Sequence, residues 1–171
     1  MIFLNIVILE LTEDNFEKYD IEEFLFKMIK ECYNLDYVPE YHSDIKNLRD
    51  YYIKPEKNTF FFAVDSDNDK IVGTCGIRGY DKNYDIKDRE YNSINTASIW
   101  RLLVASDYRH NGIATKLINQ TENFCKDKYN EIYLHTQKDS YGALAFWSSR
   151  DYQIVEETND EYGTIHLEKI L

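Results

Sequence analysis

Cysteine is scarce in this chain of 171 residues: there are three, Cys32, Cys75 and Cys125, far apart and without C-x-x-C spacing. An odd, scattered set argues against a disulfide framework and reads as reduced core thiols in a cytoplasmic protein. Histidine is as thin, with four residues, His42, His110, His135 and His166, spread along the chain. No metal-ligand spacing emerges from them, and no metal is expected. Basic residues are also short, 20 Lys and Arg against 31 Asp and Glu, for a formal net charge of −11. Such a surface is not built to neutralise phosphates, so nucleic acid is not an expected partner, while a cationic substrate would be drawn in. A long apolar run is missing too. The opening Met-Ile-Phe-Leu-Asn-Ile-Val-Ile-Leu stretch has no basic flank or cleavage site and is too short to span a bilayer. It reads as a first strand, and no membrane association is expected.

What is present is ordinary globular material, 43% hydrophobic and 30% charged. That excludes a disordered chain, and the length suits a single domain over residues 1–171. After the first strand, ending near Leu11, Thr12-Glu-Asp-Asn15 signals a helix start. Phe16, Tyr19, Phe24, Leu25, Met28, Ile29 and Cys32 recur at helical spacing to about Tyr33. Asn34 to His42 reads as a loop and Ser43 to Tyr52 as a short helix that Pro55 closes. Thr59 to Val64 and Ile71 to Ile77 form a hairpin around an acidic turn, whose Lys70 and Gly76 stand where a calcium loop needs Gly and Glu. Residues 78 to 95 are polar, charged and rich in Tyr and Asp, and a loop that long is often functional. A helix from about Asn111 to Tyr129, a strand Ile132 to Thr136, a helix Ser140 to Arg150 and two closing strands follow.

The chain is organised around Ile99 to Leu117. A branched apolar strand, Ile99 to Val104, passes through a polar turn into a helix, and Arg109-His110-Asn111-Gly112-Ile113-Ala114 sits at the junction. A helix start leaves its first N–H groups without partners and carries about half a positive charge, so strand, Gly-bearing turn and helix make an anion cradle.

Arg109-x-x-Gly112-x-Ala114, placed after Arg101-Leu-Leu-Val104, resembles the acetyl-CoA motif of the GNAT superfamily of N-acetyltransferases. The order β-α-α-β-β-β-α-β-α-β-β is similar to the whole fold of that family, so the resemblance covers nearly the entire chain. It implies a mixed α/β architecture, with a twisted sheet of about seven strands splayed between strands 4 and 5 and about four helices. The implied activity is acetyl-CoA-dependent transfer of an acetyl group to a primary amine on a small molecule or peptide, by direct attack in a ternary complex. On that resemblance Leu102 and Val104 face the cofactor with main-chain groups, and the pyrophosphate lies on N–H groups of Arg109, His110, Asn111, Gly112, Ile113, Ala114 and Thr115.

The proton-handling positions depart from the family. Its strand-4 Glu matches Ser98 here, and its Asn-x-x-Ala-x-x-Phe-Tyr helix reads Ser140-Tyr-Gly-Ala143-Leu-Ala-Phe146-Trp147. Ser140 and Trp147 therefore stand at cofactor-side positions, and an indole cannot donate a proton as a phenol does. Asp81, Asp85, Asp88 and Glu90 in the long loop are the candidate bases, Glu90 and Asp81 foremost, and a solvent-borne proton or another tyrosine such as Tyr141 takes the place of the acid. Arg101 either anchors a carboxylate-bearing substrate or pairs within the sheet. Two rival readings remain: a non-catalytic acyl-CoA-binding module of the same fold, and a phosphate-binding regulatory α/β protein. A homodimer, if one forms, would use the C-terminal strands.

Overall fold

A computed structural model describes residues 3–140 and 142–171. Tyr141, the candidate acid, lies outside the described residues. The strands pair as one seven-stranded sheet in the order β1-β2-β3-β4-β5-β7-β6. In sequence they are β1 (Ile6–Glu10), β2 (Thr59–Asp65), β3 (Lys70–Gly79), β4 (Thr96–Val104), β5 (Glu131–Gln137), β6 (Gln153–Glu157) and β7 (Thr164–Ile170). The helices are α1 (Ile21–Tyr33), α2 (Pro39–Lys46), α3 (Ile113–Cys125) and α4 (Ala143–Ser149). This is the mixed α/β order the sequence implies. No helix among the described residues is long and apolar enough to cross a membrane. The chain groups into two compact units, Met1–Ile77 with Trp100–Asn123, and Arg78–Ile99 with Phe124–Leu171.

In the first unit β2 is buried at every position, as its unbroken Thr-Phe-Phe-Phe-Ala-Val run requires. It pairs antiparallel with β1 and β3, and Phe60, Phe62 and Val64 pack with Leu11, Ile21, Leu25, Ile29, Ile45, Leu48 and Tyr52. Truncating one such leucine to alanine costs about 2–5 kcal/mol. The helix α1 starts later than its sequence signal. Asn15 spends its side chain on a local turn, accepting from Thr12 N and donating to Glu10 O, both at 2.9 Å. Asp20 is the actual cap, accepting from Glu23 N at 2.9 Å, and Asn34 ends the helix in a left-handed conformation. Cys32 is exposed rather than core, whereas Cys75 and Cys125 are buried. Burial pushes the Cys75 thiol up to about 12. Pro39 opens α2 where the sequence suggested a loop, because its fixed φ suits a first helical position. A π-helical turn, Arg49–Ile53, follows.

In the second unit β5 pairs antiparallel with β7, which pairs antiparallel with β6. The parallel ladder of β4 with β5 covers Thr96, Ala97 and Ser98 against Glu131, Ile132 and Tyr133. Registered pairing stops there, although β4 runs on to Val104.

Candidate active site

The first unit holds the cradle. Beyond β4 a 3₁₀ turn, Ser106–Tyr108, leads to a stretch whose backbone turns left-handed at His110 (φ 63°) and at Gly112 (φ 75°). Tyr108 ties this turn to the end of β2 through its hydroxyl, which donates to Asp65 Oδ2 at 2.8 Å. That hydrogen bond holds the Asp65 carboxyl below the usual carboxylate range. The acidic turn after β2 is thus employed in bracing, with Asn68 Nδ2 on the same carboxylate at 3.1 Å. Asn111 is a second brace, donating from Nδ2 to the carbonyls of Tyr108 and Arg109, each at 3.0 Å. The motif alone gave Asn111 only a backbone role, since an Asx-type brace depends on how the turn folds.

The Arg109 amide donates to Ser106 O at 3.4 Å. Among the described residues, no backbone carbonyl accepts from the amides of His110, Asn111, Gly112, Ile113, Ala114 or Thr115; the first helical bond is Lys116 N to Gly112 O at 3.1 Å. His110, Asn111 and Gly112 are exposed, Ala114 and Thr115 half-buried, and Ile113 is buried in the core. A Cβ added to Gly112 would meet nothing within 4 Å, so the space beside Gly112 is open. The Arg109 guanidinium reaches back to Val104 O at 3.1 Å, which puts a positive charge beside the strand end. Leu102 and Val104 are both half-buried. These donors, the fixed positive charge and the open approach suit a phosphate group.

Arg101 does not pair within the sheet. Its Nη2 donates to Asp44 Oδ1 at 2.6 Å and its Nε to Asp44 Oδ2 at 3.1 Å, across to α2. Its Nη2 also donates to Tyr41 O at 2.6 Å.

The second unit carries a polar layer that sequence reasoning missed. Tyr133 of β5 is fully buried and its hydroxyl lies 2.7 Å from His166 Nδ1 of β7. His135, one period further along β5, is registered with His166, and Tyr84 sets its ring edge-on to both imidazoles, at 5.5 Å and 4.9 Å. Glu168, registered with Tyr133, receives Arg89 Nη2 at 2.7 Å and the hydroxyl of Tyr91. Burial opposes ionisation of Glu168, but the hydrogen bonds from Arg89 and Tyr91 outweigh it and hold its pKa below the ordinary glutamate value. Desolvation keeps both imidazoles below the ordinary histidine value, with the Lys82 charge adding to it at His135. His135 is exposed and His166 buried. Only the alternation of β5 against β7 brings these residues to one face, and that pairing is invisible until the register is known.

Of the loop candidates, Asp81 is held in an ion pair with Arg78, and Glu90 is exposed between Arg89 and Tyr91, whose side chains anchor the loop. Ser98 is buried, and its hydroxyl finds no hydrogen-bond partner among the described residues. Ser140 is half-buried before α4. Trp147 is core, 6% exposed, packed edge-on to Phe146 at 5.0 Å and Tyr152 at 4.9 Å. Among the described residues no group of His, Cys, Asp and Glu could hold a metal ion.

The chain belongs to the acetyltransferase (GNAT) family, whose model matches residues 22–152. It is 33% identical over 60 residues to N-alpha-acetyltransferase 50 of Danio rerio, a match covering 34% of this chain and 36% of that protein. The chain therefore spans about a third of the length of the curated relative it matches. A GNAT-family acetyltransferase from Staphylococcus aureus Mu50 shares the fold with a TM-score of 0.71 and 19% identity, over 97% of this chain and 99% of that one. Arabidopsis thaliana Naa50, solved with the bisubstrate analogue CoA-Ac-MVNAL, gives a TM-score of 0.63 at 21% identity, over 98% of this chain and all of that one.

Proposed function

We propose that residues 1–171 form one catalytic domain that transfers the acetyl group of acetyl-CoA to a primary amine. The observation that carries this reading is the run of amides from His110 to Thr115 with no backbone acceptor among the described residues, beside left-handed backbone at His110 and Gly112. On this reading they take the pyrophosphate, with Arg109 supplying local positive charge on a chain of net charge −11. Main-chain groups of Leu102 and Val104 pair with the pantetheine amides as another strand would.

The neutral amine attacks the thioester carbonyl, the C–N bond forms, the C–S bond breaks, and the thiolate leaves with a proton to be supplied. Removal of the amine proton needs a group that is unprotonated near neutral pH. His135 meets that condition, since desolvation among Tyr84, Tyr133 and His166 holds its pKa below the ordinary histidine value. We rank it ahead of Glu90 and Asp81, of which Asp81 is already engaged by Arg78. The acceptor class we favour is a peptide α-amine, on the strength of the similarity to N-alpha-acetyltransferase 50.

One observation favours a second reading, a non-catalytic acyl-CoA-binding module: the positions where the family places Glu and Tyr hold the buried Ser98 and the core residue Trp147. Release of free thiol from acetyl-CoA, followed with the peptide MVNAL bearing a free α-amine, a lysine peptide blocked at its N-terminus, and spermidine, decides between them. Turnover with the first peptide at least tenfold above the others supports the α-amine reading. Acetyl-CoA binding in calorimetry without thiol release on any amine assigns the module, and stabilisation by a nucleotide but not by coenzyme A assigns a phosphate-binding protein.

A further inference from the structure

We infer that Arg101 is a positioning residue for the acyl-thioester arm of the cofactor, acting through the buried Asp44 of α2; this rests on the acetyl-CoA reading above. Arg101 sits in the middle of β4 with φ at +53°. That is a left-handed conformation, which a non-glycine residue holds only where its surroundings enforce it. Here they do. The guanidinium is gripped through two nitrogens by Asp44, at 2.6 Å and 3.1 Å, and by Tyr41 O at 2.6 Å. Asp44 is itself 2% exposed and is held from the other side by the Tyr52 hydroxyl at 2.6 Å. The Arg101 carbonyl receives the Thr74 hydroxyl at 2.7 Å from β3. Side chain and carbonyl are thus fixed in different directions, and the backbone between them has one way to run.

An irregular residue inside a strand re-aims the residues after it, as bulges beside active sites do. The residues after Arg101 are Leu102 to Val104, whose main-chain groups the acetyl-CoA reading places against the pantetheine. Holding a buried ion pair in a strained turn is poor economy for stability alone, because apolar residues of similar volume would serve as well or better. A forked, planar guanidinium on a buried carboxylate does define one orientation, which lysine would not.

The test separates the arm from the cradle. Acetyl-CoA and ADP are titrated by calorimetry into wild type, Arg101→Gly, Asp44→Asn and the double variant, each checked for fold by circular dichroism. Glycine permits the left-handed turn but does not enforce it. Arg101→Gly is expected to weaken acetyl-CoA binding on the order of tenfold, the worth of one or two main-chain hydrogen bonds, with ADP affinity within about twofold of wild type. Asp44→Asn should weaken acetyl-CoA binding less, and add little once Arg101 is gone. Equal acetyl-CoA affinity in folded Arg101→Gly overturns the inference, as does a parallel loss for ADP, which would mark a merely structural residue. If Arg101→Gly does not fold, Asp44→Asn alone decides by the same split. A wild type that binds neither ligand overturns the acetyl-CoA reading as well, whereas binding of acetyl-CoA that no variant alters overturns this inference only.

Discussion

The stretch after β4 and the layer on β5 and β7 are both polar and both suited to chemistry, but they are made in opposite ways. The first is main chain: on the proposed reading its working groups are the amides of His110 to Thr115, and side chains such as Asn111 and Tyr108 hold the turn. The second is side chain throughout, Tyr133 on His166 and Arg89 with Tyr91 on Glu168. A main-chain site tolerates many sequences provided small residues leave room, while a side-chain network fails when any member loses its partner. Substitutions should therefore act on ligand binding in the first region and, apart from the proposed base His135, on stability in the second.

The largest expected effect belongs to Gly112→Glu. Its Cβ would project into open space, so the carboxylate enters the cradle without displacing core, placing a negative charge where a diphosphate would sit. Coenzyme A binding by calorimetry should fall at least 100-fold. Because φ at Gly112 is +75°, a stability loss of about 1 kcal/mol in urea unfolding is expected as well. Wild-type affinity in this variant would break the comparison, since it would mean that these amides bind nothing.

Next in size is Glu168→Ala. It removes the acceptor of both Arg89 and Tyr91, but the Arg89 side chain is 38% exposed, so water takes over part of what is lost. The expected cost is about 2 kcal/mol. The pH dependence gives an independent reading. Glu168 titrates below its ordinary value of 4.5 when folded, so the unfolded chain binds the proton first; its contribution is complete above about pH 4.5 and is lost as the pH falls through the folded value. Urea midpoints between pH 6 and pH 3 should fall less steeply in Glu168→Ala than in wild type. Parallel curves would show that the carboxylate is not held as described.

This contrast also explains what could be read from sequence. The element order, the hairpin around the acidic turn and the strand–turn–helix at Gly112 are local, and local periodicity and turn chemistry reveal them. Helix α1 was misplaced at its start because two caps compete: Asn15 satisfies its side chain within a turn and leaves the helix to Asp20. The face shared by Tyr133, His135, His166 and Glu168 joins residues far apart in sequence, and no motif encodes a register. Glu90 and Asp81 belong to a long loop whose anchors, Arg89 and Tyr91, carry no local signal because their partner Glu168 lies far along the chain. The ion pair of Arg101 with Asp44 is equally non-local.

The smallest expected effect is at Ser98, and it has the opposite sign. Ser98 stands at the last registered pair of β4 with β5, buried, with a hydroxyl that has no partner among the described residues. It is the position where the family resemblance implies a carboxylate. An unsatisfied buried hydroxyl carries a desolvation penalty of about 1–3 kcal/mol, and replacing it with a methyl hydrogen removes that penalty while leaving a void no larger than one oxygen. Ser98→Ala should therefore leave stability unchanged or raise it by up to about 1 kcal/mol in urea unfolding. A gain, with thiol release from acetyl-CoA unaltered, would mean that β4 has handed over the proton-handling task and kept only its main-chain one. A loss of more than about 1 kcal/mol would mean the hydroxyl is satisfied by bound water and belongs with the side-chain network. A drop in turnover at unchanged stability would move Ser98 into the chemistry itself, and the division between a main-chain region and a side-chain region would then run through β4 rather than beyond it.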